Sequence, residues 1–126
     1  MFSVAVAQLL VVRPHSHHFM QHAQHALFIQ AIHTKKKLSI TFHSAKDSAD
    51  VTRIVAPMDF GPWARFTDHK DWYHAWDFSS PSGQHTEPIQ ASQIRAIKLL
   101  DETFDPASFV TWMPKWHIQR DWGQFS

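Results

Sequence analysis

The sequence predicts a mainly β fold, in which one N-terminal helix precedes about five short antiparallel strands. Three observations support this prediction. Apolar residues recur at helical spacing only near the N-terminus, the period then changes to two, and turn residues interrupt the rest of the chain at short intervals. Short strands with frequent turns are typical of a small antiparallel barrel or a strongly bent sheet. The 126 residues suffice for one domain with its own core.

The helix is predicted between about residues 20 and 36. Leu27 and Ala31 recur at helical spacing. Phe28 and Ile32 lie beside them and complete an apolar stripe. Three consecutive lysines follow and would occupy the last turn, where the helix dipole favours cations.

The strands are predicted from alternating patterns and from β-branched or aromatic runs. Leu38, Ile40 and Phe42 alternate with polar residues, as in a half-buried strand. Pro57 is expected to end the next strand, and Gly61-Pro62 is a loop signal. Ser79 to Gly83 is the clearest turn. The predicted strands are residues 38–43, 51–56, 71–78, 89–94 and 95–100.

The composition excludes several kinds of site. The chain has no cysteine, which removes disulfides, thiolate metal sites and cysteine nucleophiles. With 12 Lys+Arg and 11 Asp+Glu, the net charge is +1, so there is no strong electrostatic case for nucleic acid at pH 7. The apolar run Met1 to Val12 is shorter than the ~20 residues that span a bilayer, and it lacks the basic start of a signal peptide. We therefore expect a cytoplasmic protein without a membrane partner.

The order of several short motifs is distinctive. They are Ala31-Ile32 in the helix, then Lys37 to Phe42, Arg53 to Pro57, Asp71 to Ala75, and Leu100 to Phe104. This order resembles the WYL domain family, whose Trp-Tyr-Leu strand corresponds to Trp72-Tyr73-His74 here. The resemblance divides the chain into an apolar and His-rich extension (1–25), a WYL-like domain (26–106) and a Trp-rich tail (107–126).

The resemblance implies a small SH3-like or Sm-like β-barrel with the helix packed against it. It implies a non-enzymatic regulatory module linked to transcription in bacteria, which binds a small ligand, a nucleotide or single-stranded nucleic acid. Family members usually follow a helix-turn-helix domain; only 25 residues precede the matched region here, so we expect a stand-alone, divergent member. Glu87, Gln90 and Gln93 stand where the family carries arginines, which weakens the expected attraction for phosphate.

The ligand is expected to contact Arg53, Trp72, His74 and Trp76. The last three share one face of their strand, and Tyr73 lies on the other. If Tyr73 faces the core, the rings opposite lie under the helix, in a subunit interface, or in an open platform on which bases stack. Arg53 would hold an anion. Arg65, Arg95 and Lys98 could converge near it.

A metal site is the alternative for the N-terminal histidines. On a helix, His18, His22 and His25 would lie along one stripe, and an i, i+4 pair of imidazoles can chelate zinc, nickel or copper. No acid nearby supplies a further ligand, so a solvated polar face or a pH-responsive surface stays open.

Catalytic motifs are scarce, and we expect neither enzyme activity nor a cofactor. There is no Gly-x-Ser-x-Gly elbow, and the best acid–base candidates, Asp68-His69 and Asp71, lie in a polar loop.

Two alternatives to ligand binding stay open. One is self-association as a homo-oligomer or docking on a partner regulator; the other is sensing of metal or pH through the N-terminal histidines.

Overall fold

The computed structural model describes residues 21–63, 65 and 67–126. The described residues form one antiparallel sheet of five strands in the order β4-β3-β2-β1-β5, together with one N-terminal helix. The mainly β prediction is confirmed. A closed barrel is not confirmed, because β4 and β5 end the hydrogen-bonded order at opposite edges. The elements are α1 His25–Thr34, β1 Lys36–Ser44, β2 Ala49–Pro62, β3 Asp71–Asp77, β4 His85–Ile89 and β5 Ile94–Thr103.

Helix α1 is shorter at both ends than the apolar pattern predicted. It begins at His25, and it ends because Lys35 takes a left-handed conformation (φ 55°) from which its N–H bonds back to Ile32 O. The three lysines therefore do not occupy the last turn; Lys36 already starts β1. No helix among the described residues is both long and apolar enough to cross a membrane.

Strand β2 continues through Pro57 to Pro62, so the prediction that it stops at Pro57 was wrong, as was the loop at Gly61-Pro62. The register against β3 shifts between Pro57 and Asp59, which places one additional residue, Met58, at a bulge. A bulge is where a strand tolerates a residue that cannot donate to the ladder. The strand can therefore pass a proline that the sequence pattern marked as its end.

The predicted strands 89–94 and 95–100 are also corrected. Strand β4 ends at Ile89, a single 3-10 turn occupies Ala91–Gln93, and one continuous strand runs from Ile94 to Thr103. The turn is held by side chains: the Gln93 amide oxygen accepts from Gln90 N (2.8 Å) and its nitrogen donates to His43 O (3.2 Å).

One face of the sheet packs against α1. Phe28, Ala31 and Ile32 on the helix are fully buried, and the ring of Phe28 meets that of Tyr73 edge-on at 4.9 Å. Leu38, Ile40 and Phe42 alternate inward from β1, as predicted. The core of the domain extends from this helix and sheet into the C-terminal segment that follows β5 (residues 104–126), through Phe104, Phe109, Val110 and Trp122.

The C-terminal segment packs against the other face. Strand alternation puts Trp76 opposite the face of Tyr73, and its ring stacks on Phe109 (5.5 Å, 14° between planes). Trp122 is buried and donates from Nε1 to Ile32 O (2.9 Å), which ties the segment to the end of α1. The segment thus covers part of this second face, around Trp76, while Ala96 and Lys98 on β5 stay exposed there.

Candidate ligand-binding cleft

A cleft of about 540 Å³ opens where the C-terminal segment crosses the bulged ends of β2 and β3. This volume is in the range of small-molecule sites. Its wall is aromatic and cationic. The lining residues used below are Asp59, Trp63, Arg65, His74, Trp112, Lys115 and Trp116.

The floor of the cleft carries a histidine that is neutral at pH 7. His74 is 8% exposed, and its Nε2 lies 3.0 Å from Gly61 O, so Nε2 carries the proton and donates it. Burial lowers the pKa of His74; the hydrogen bond to Gly61 and the charge of Asp59 oppose this effect, and His117 adds to it. The floor therefore offers a polar group without a net charge.

Asp59 lines the cleft, but its charge is already satisfied. The buried carboxylate accepts from His117 N (2.9 and 3.1 Å) and from Ile118 N (2.9 Å), and it lies 3.5 Å from Arg120 Nη2. Because these donors stabilise the carboxylate, its negative charge repels an incoming anion much less than a free carboxylate would.

Arg120 is enclosed by the C-terminal segment. Its guanidinium lies 4.2 Å from the ring of Trp116 and 4.4 Å from that of Trp122, and it donates to Ile118 O and Met58 O. Burial lowers the pKa of Arg120 to about 10, and Asp59 opposes this shift, so the group stays charged at pH 7. It holds the cleft wall in place.

The rim provides indole rings and exposed cations. Trp112 is 40% exposed and meets Trp116 edge-on at 6.2 Å. The guanidinium of Arg65 lies 5.6 Å from the ring of Trp63, and Lys115 also lines the cleft and is exposed. Two exposed cations, several indole rings and a satisfied carboxylate suit a planar ligand that carries negative charge.

The structure places the sequence-predicted residues on two faces. Tyr73 is fully buried toward α1, and Trp72, His74 and Trp76 lie on the opposite side. Only His74 of these three lines the cleft. Trp76 is covered by Phe109 and donates from Nε1 to Gln84 (3.1 Å), and Trp72 meets Trp63 edge-on at 6.1 Å.

Arg53 is not brought together with these rings. It shares the helix-side face with Asp77, where its Nε lies 3.2 Å from Asp77 Oδ2 and its Nη2 3.7 Å from Asp47. The expected convergence of arginines also does not occur, because Arg95 pairs with Asp50 at 3.5 Å and Arg65 lies at the cleft.

His18 lies outside the described residues. His22 precedes α1, so the helical stripe that suggested a metal pair does not include it. Its Nδ1 accepts from Gln24 N (3.0 Å), and His25 Nδ1 bonds to the hydroxyl of Tyr73 (2.8 Å). Burial lowers the pKa of both histidines. These contacts fasten the segment before α1 to the sheet.

The positions at which the family would carry arginines have local partners here. Glu87 pairs with His85 (2.9 Å), and Gln90 and Gln93 form the turn before β5. In the polar loop, Asp68 accepts from Lys70 N and His69 is exposed.

Sequence reasoning missed the cleft residues Trp112, Lys115 and Trp116. The segment that carries them is fixed by contacts with distant residues, such as the hydrogen bond from His117 N to Asp59, 58 positions away. It has two three-residue 3-10 turns, Pro106–Ser108 and Gly123–Phe125, and no α-helix or strand whose period could place its side chains. The available signal was composition: three of the chain's six tryptophans lie in its last 15 residues.

Comparison with known proteins gives a likeness of fold. No protein-family model matches the sequence, and no curated protein matches it. Among solved structures, Proteasome accessory factor B/C (PafBC) of Arthrobacter aurescens is similar, with a TM-score of 0.53 and 17% identity over 71% of this chain. The match spans only 13% of that protein. At this identity the likeness shows a common fold and nothing more specific.

Proposed function

We propose that this chain is a non-enzymatic, WYL-type regulatory module that binds a nucleotide or a short single-stranded nucleic acid in the cleft. Two lines support the WYL assignment: the order of the sequence motifs, and a five-stranded sheet with one N-terminal helix. We take the fold shared with part of PafBC to be that of the WYL domain. In this proposal the sheet is an opened form of the small barrel that the resemblance implies.

The observation that carries the ligand proposal is the grouping of Arg65 and Lys115 with one exposed indole ring (Trp112) and two half-buried ones (Trp63 and Trp116), around a carboxylate that is already satisfied. Stacking of a base on an indole ring contributes about 1–3 kcal/mol to binding, whichever base it is. The two cations then meet its phosphate. With only two such contacts, the affinity for a single strand should depend weakly on salt: the logarithm of the association constant should fall with the logarithm of the salt concentration with a slope of about −1.4.

The site that we propose differs from the one expected from the sequence. His74 belongs to both, but the rings come from the C-terminal segment and from Trp63 rather than from Trp72 and Trp76. Arg65 and Lys115 take the role that was expected of Arg53, whose guanidinium is held by Asp77 and Asp47 on the opposite face.

The test is a tryptophan-fluorescence titration at low salt with adenosine monophosphate and with oligothymidylate. We expect quenching that saturates for at least one probe. Trp112→Ala should weaken binding about tenfold through lost stacking, and Lys115→Gln about fivefold or more through the lost phosphate contact.

Lys98→Gln is the matched control, because Lys98 is an exposed lysine on β5, on an uncovered part of the sheet, and lines no part of the cleft. It should bind like the parent protein. Equal affinities of the Lys115→Gln and Lys98→Gln variants, or no saturable quenching by either probe, would contradict the proposal.

A further inference from the structure

A second cluster of ionisable side chains lies where β3 pairs with β4, on the helix-facing side of the sheet and therefore on the face opposite the cleft. Asp77 and His85 are directly opposed in the antiparallel pair, and Glu87 follows two residues after His85 on the same face. Each residue offers one atom that can bind a metal, a carboxylate oxygen or an imidazole nitrogen, and these three atoms lie within 4.8 Å of one another. The cleft uses none of the three.

The imidazole of His85 is already oriented. Its Nδ1 lies 2.8 Å from Gly83 O and its Nε2 2.9 Å from Glu87 Oε1. A ring whose Nδ1–H donates to a backbone carbonyl, while Nε2 faces carboxylates, has the arrangement that metal-ligating histidines commonly show.

Asp77 supplies an independent observation. Its side chain is fully buried; Oδ1 accepts from Ser79 N (2.9 Å), but Oδ2 has no hydrogen bond. Arg53 Nε lies 3.2 Å from Oδ2, but its N–H does not point at this oxygen in hydrogen-bond geometry. The two groups therefore form an ion pair without a hydrogen bond. A buried carboxylate oxygen with a free lone pair is costly unless something binds it.

We propose that Asp77, His85 and Glu87 bind a divalent transition metal of the zinc class. One imidazole nitrogen and two carboxylate oxygens form a set that zinc accepts, and three protein ligands leave one position open. A cavity of about 150 Å³, lined in part by Arg53, His85 and Glu87, adjoins the cluster and has room for a small fourth ligand. Arg53 supplies the compensating positive charge when no metal is bound.

The experiment titrates the full-length protein with Co²⁺, followed by its visible absorption, and then displaces it with Zn²⁺. Glu87→Gln removes one charged ligand from a partly exposed position and should keep the fold. We expect it to weaken Co²⁺ binding at least about tenfold, and to abolish most of the rise in melting temperature that Zn²⁺ gives the parent protein.

Two matched controls test the specificity of this result. Glu102→Gln removes an exposed glutamate that pairs with Lys37, and His43→Gln breaks a surface His–Asp50 pair that has no third ligand. Both should bind Co²⁺ like the parent protein.

The N-terminal histidines are a competing site, and the carboxylate variants separate the two. Unchanged Co²⁺ binding in both Glu87→Gln and Asp77→Asn, or binding that only substitutions at His18 and His22 remove, would overturn the proposal. Loss of binding in Glu87→Gln with a native melting curve would support it. Neither result depends on nucleotide binding in the cleft.

Discussion

At the scale of single residues, Asp59 holds the cleft together. Its carboxylate joins three partners from the C-terminal segment: the backbone N–H groups of His117 and Ile118, and the guanidinium of Arg120. The side chains of Asp59 and Arg120 are shielded from water, and a buried charge that loses its partner is costly. One side chain on β2 therefore fixes the position of the segment that carries the rim of the cleft.

We expect Asp59→Ala to lower the free energy of unfolding by about 3 kcal/mol, because Arg120 is then buried without its counter-charge. Asp59→Asn should cost less, since its amide oxygen can still accept from one backbone N–H. Urea denaturation of both variants measures the difference. Equal losses would show that hydrogen bonding to the segment contributes nothing beyond charge.

Histidine burial makes stability depend on pH. Burial lowers the pKa of His22, His25 and His74, so near pH 6 the unfolded chain binds more protons than the folded one at these sites. Stability should therefore fall as the pH drops from about 7.5 toward 5. His85 acts in the opposite direction: its pKa is raised by its bonds to Gly83 and Glu87, and the stability that it contributes is lost as the pH rises.

We expect the melting temperature at pH 5.5 to be below that at pH 7.5, and His74→Gln to reduce this difference. Gln retains a donor for Gly61 O but cannot titrate. Thermal melts at the two pH values measure it. A pH difference in His74→Gln as large as in the parent protein would contradict the role of His74.

At the scale of elements, a side-chain amide bonds to backbone groups of a strand edge that no other strand reaches. Gln24 precedes α1 without capping it. Its amide instead donates to Ile97 O (2.8 Å) and accepts from Ile97 N (2.9 Å), as a neighbouring strand would. The edge of β5 is thereby covered at its centre, where exposed strand edges otherwise invite pairing with other chains.

Gln24→Ala should lower the free energy of unfolding by about 1–2 kcal/mol, because two backbone groups of β5 lose their partner. Gln30→Ala, at an exposed position of α1, is the matched control and should change stability by less than about 0.5 kcal/mol. Chemical denaturation compares them. A Gln24→Ala variant as stable as Gln30→Ala would show that water replaces the amide without cost.

Elements with a strong local period could be predicted, and those set by distant contacts could not. The alternation of Leu38, Ile40 and Phe42 reports burial directly, and β1 follows it. The predicted end of β2 at Pro57 was wrong because proline is accommodated next to a bulge, and only the register with β3 defines that bulge. The turn before β5 combines a local feature, the reciprocal Gln90–Gln93 capping box, with a distant one: Gln93 also donates to His43 O, 50 residues away, and no local pattern indicates that contact.

At the scale of the whole molecule, the sheet carries two separate sets of functional candidates, one on each face. The helix side holds the Asp77 cluster with Arg53, and the side of the C-terminal segment holds the cleft. Sequence reasoning placed Arg53 with Trp72 and Trp76 because all belong to the WYL-like motifs. Strand alternation puts them on opposite faces, and only the register shows it. The candidate site could thus be predicted only in part, through His74.

The proposal that the cleft binds a nucleotide is tested most directly by nuclear magnetic resonance of the tryptophan indole N–H groups during titration with adenosine monophosphate. We expect the signals of Trp63, Trp112 and Trp116, which line the cleft, to shift and saturate together, while those of Trp76 and Trp122, which do not line it, stay in place. Shifts confined to Trp76 and Trp122, or no saturable shift in any indole, would contradict it.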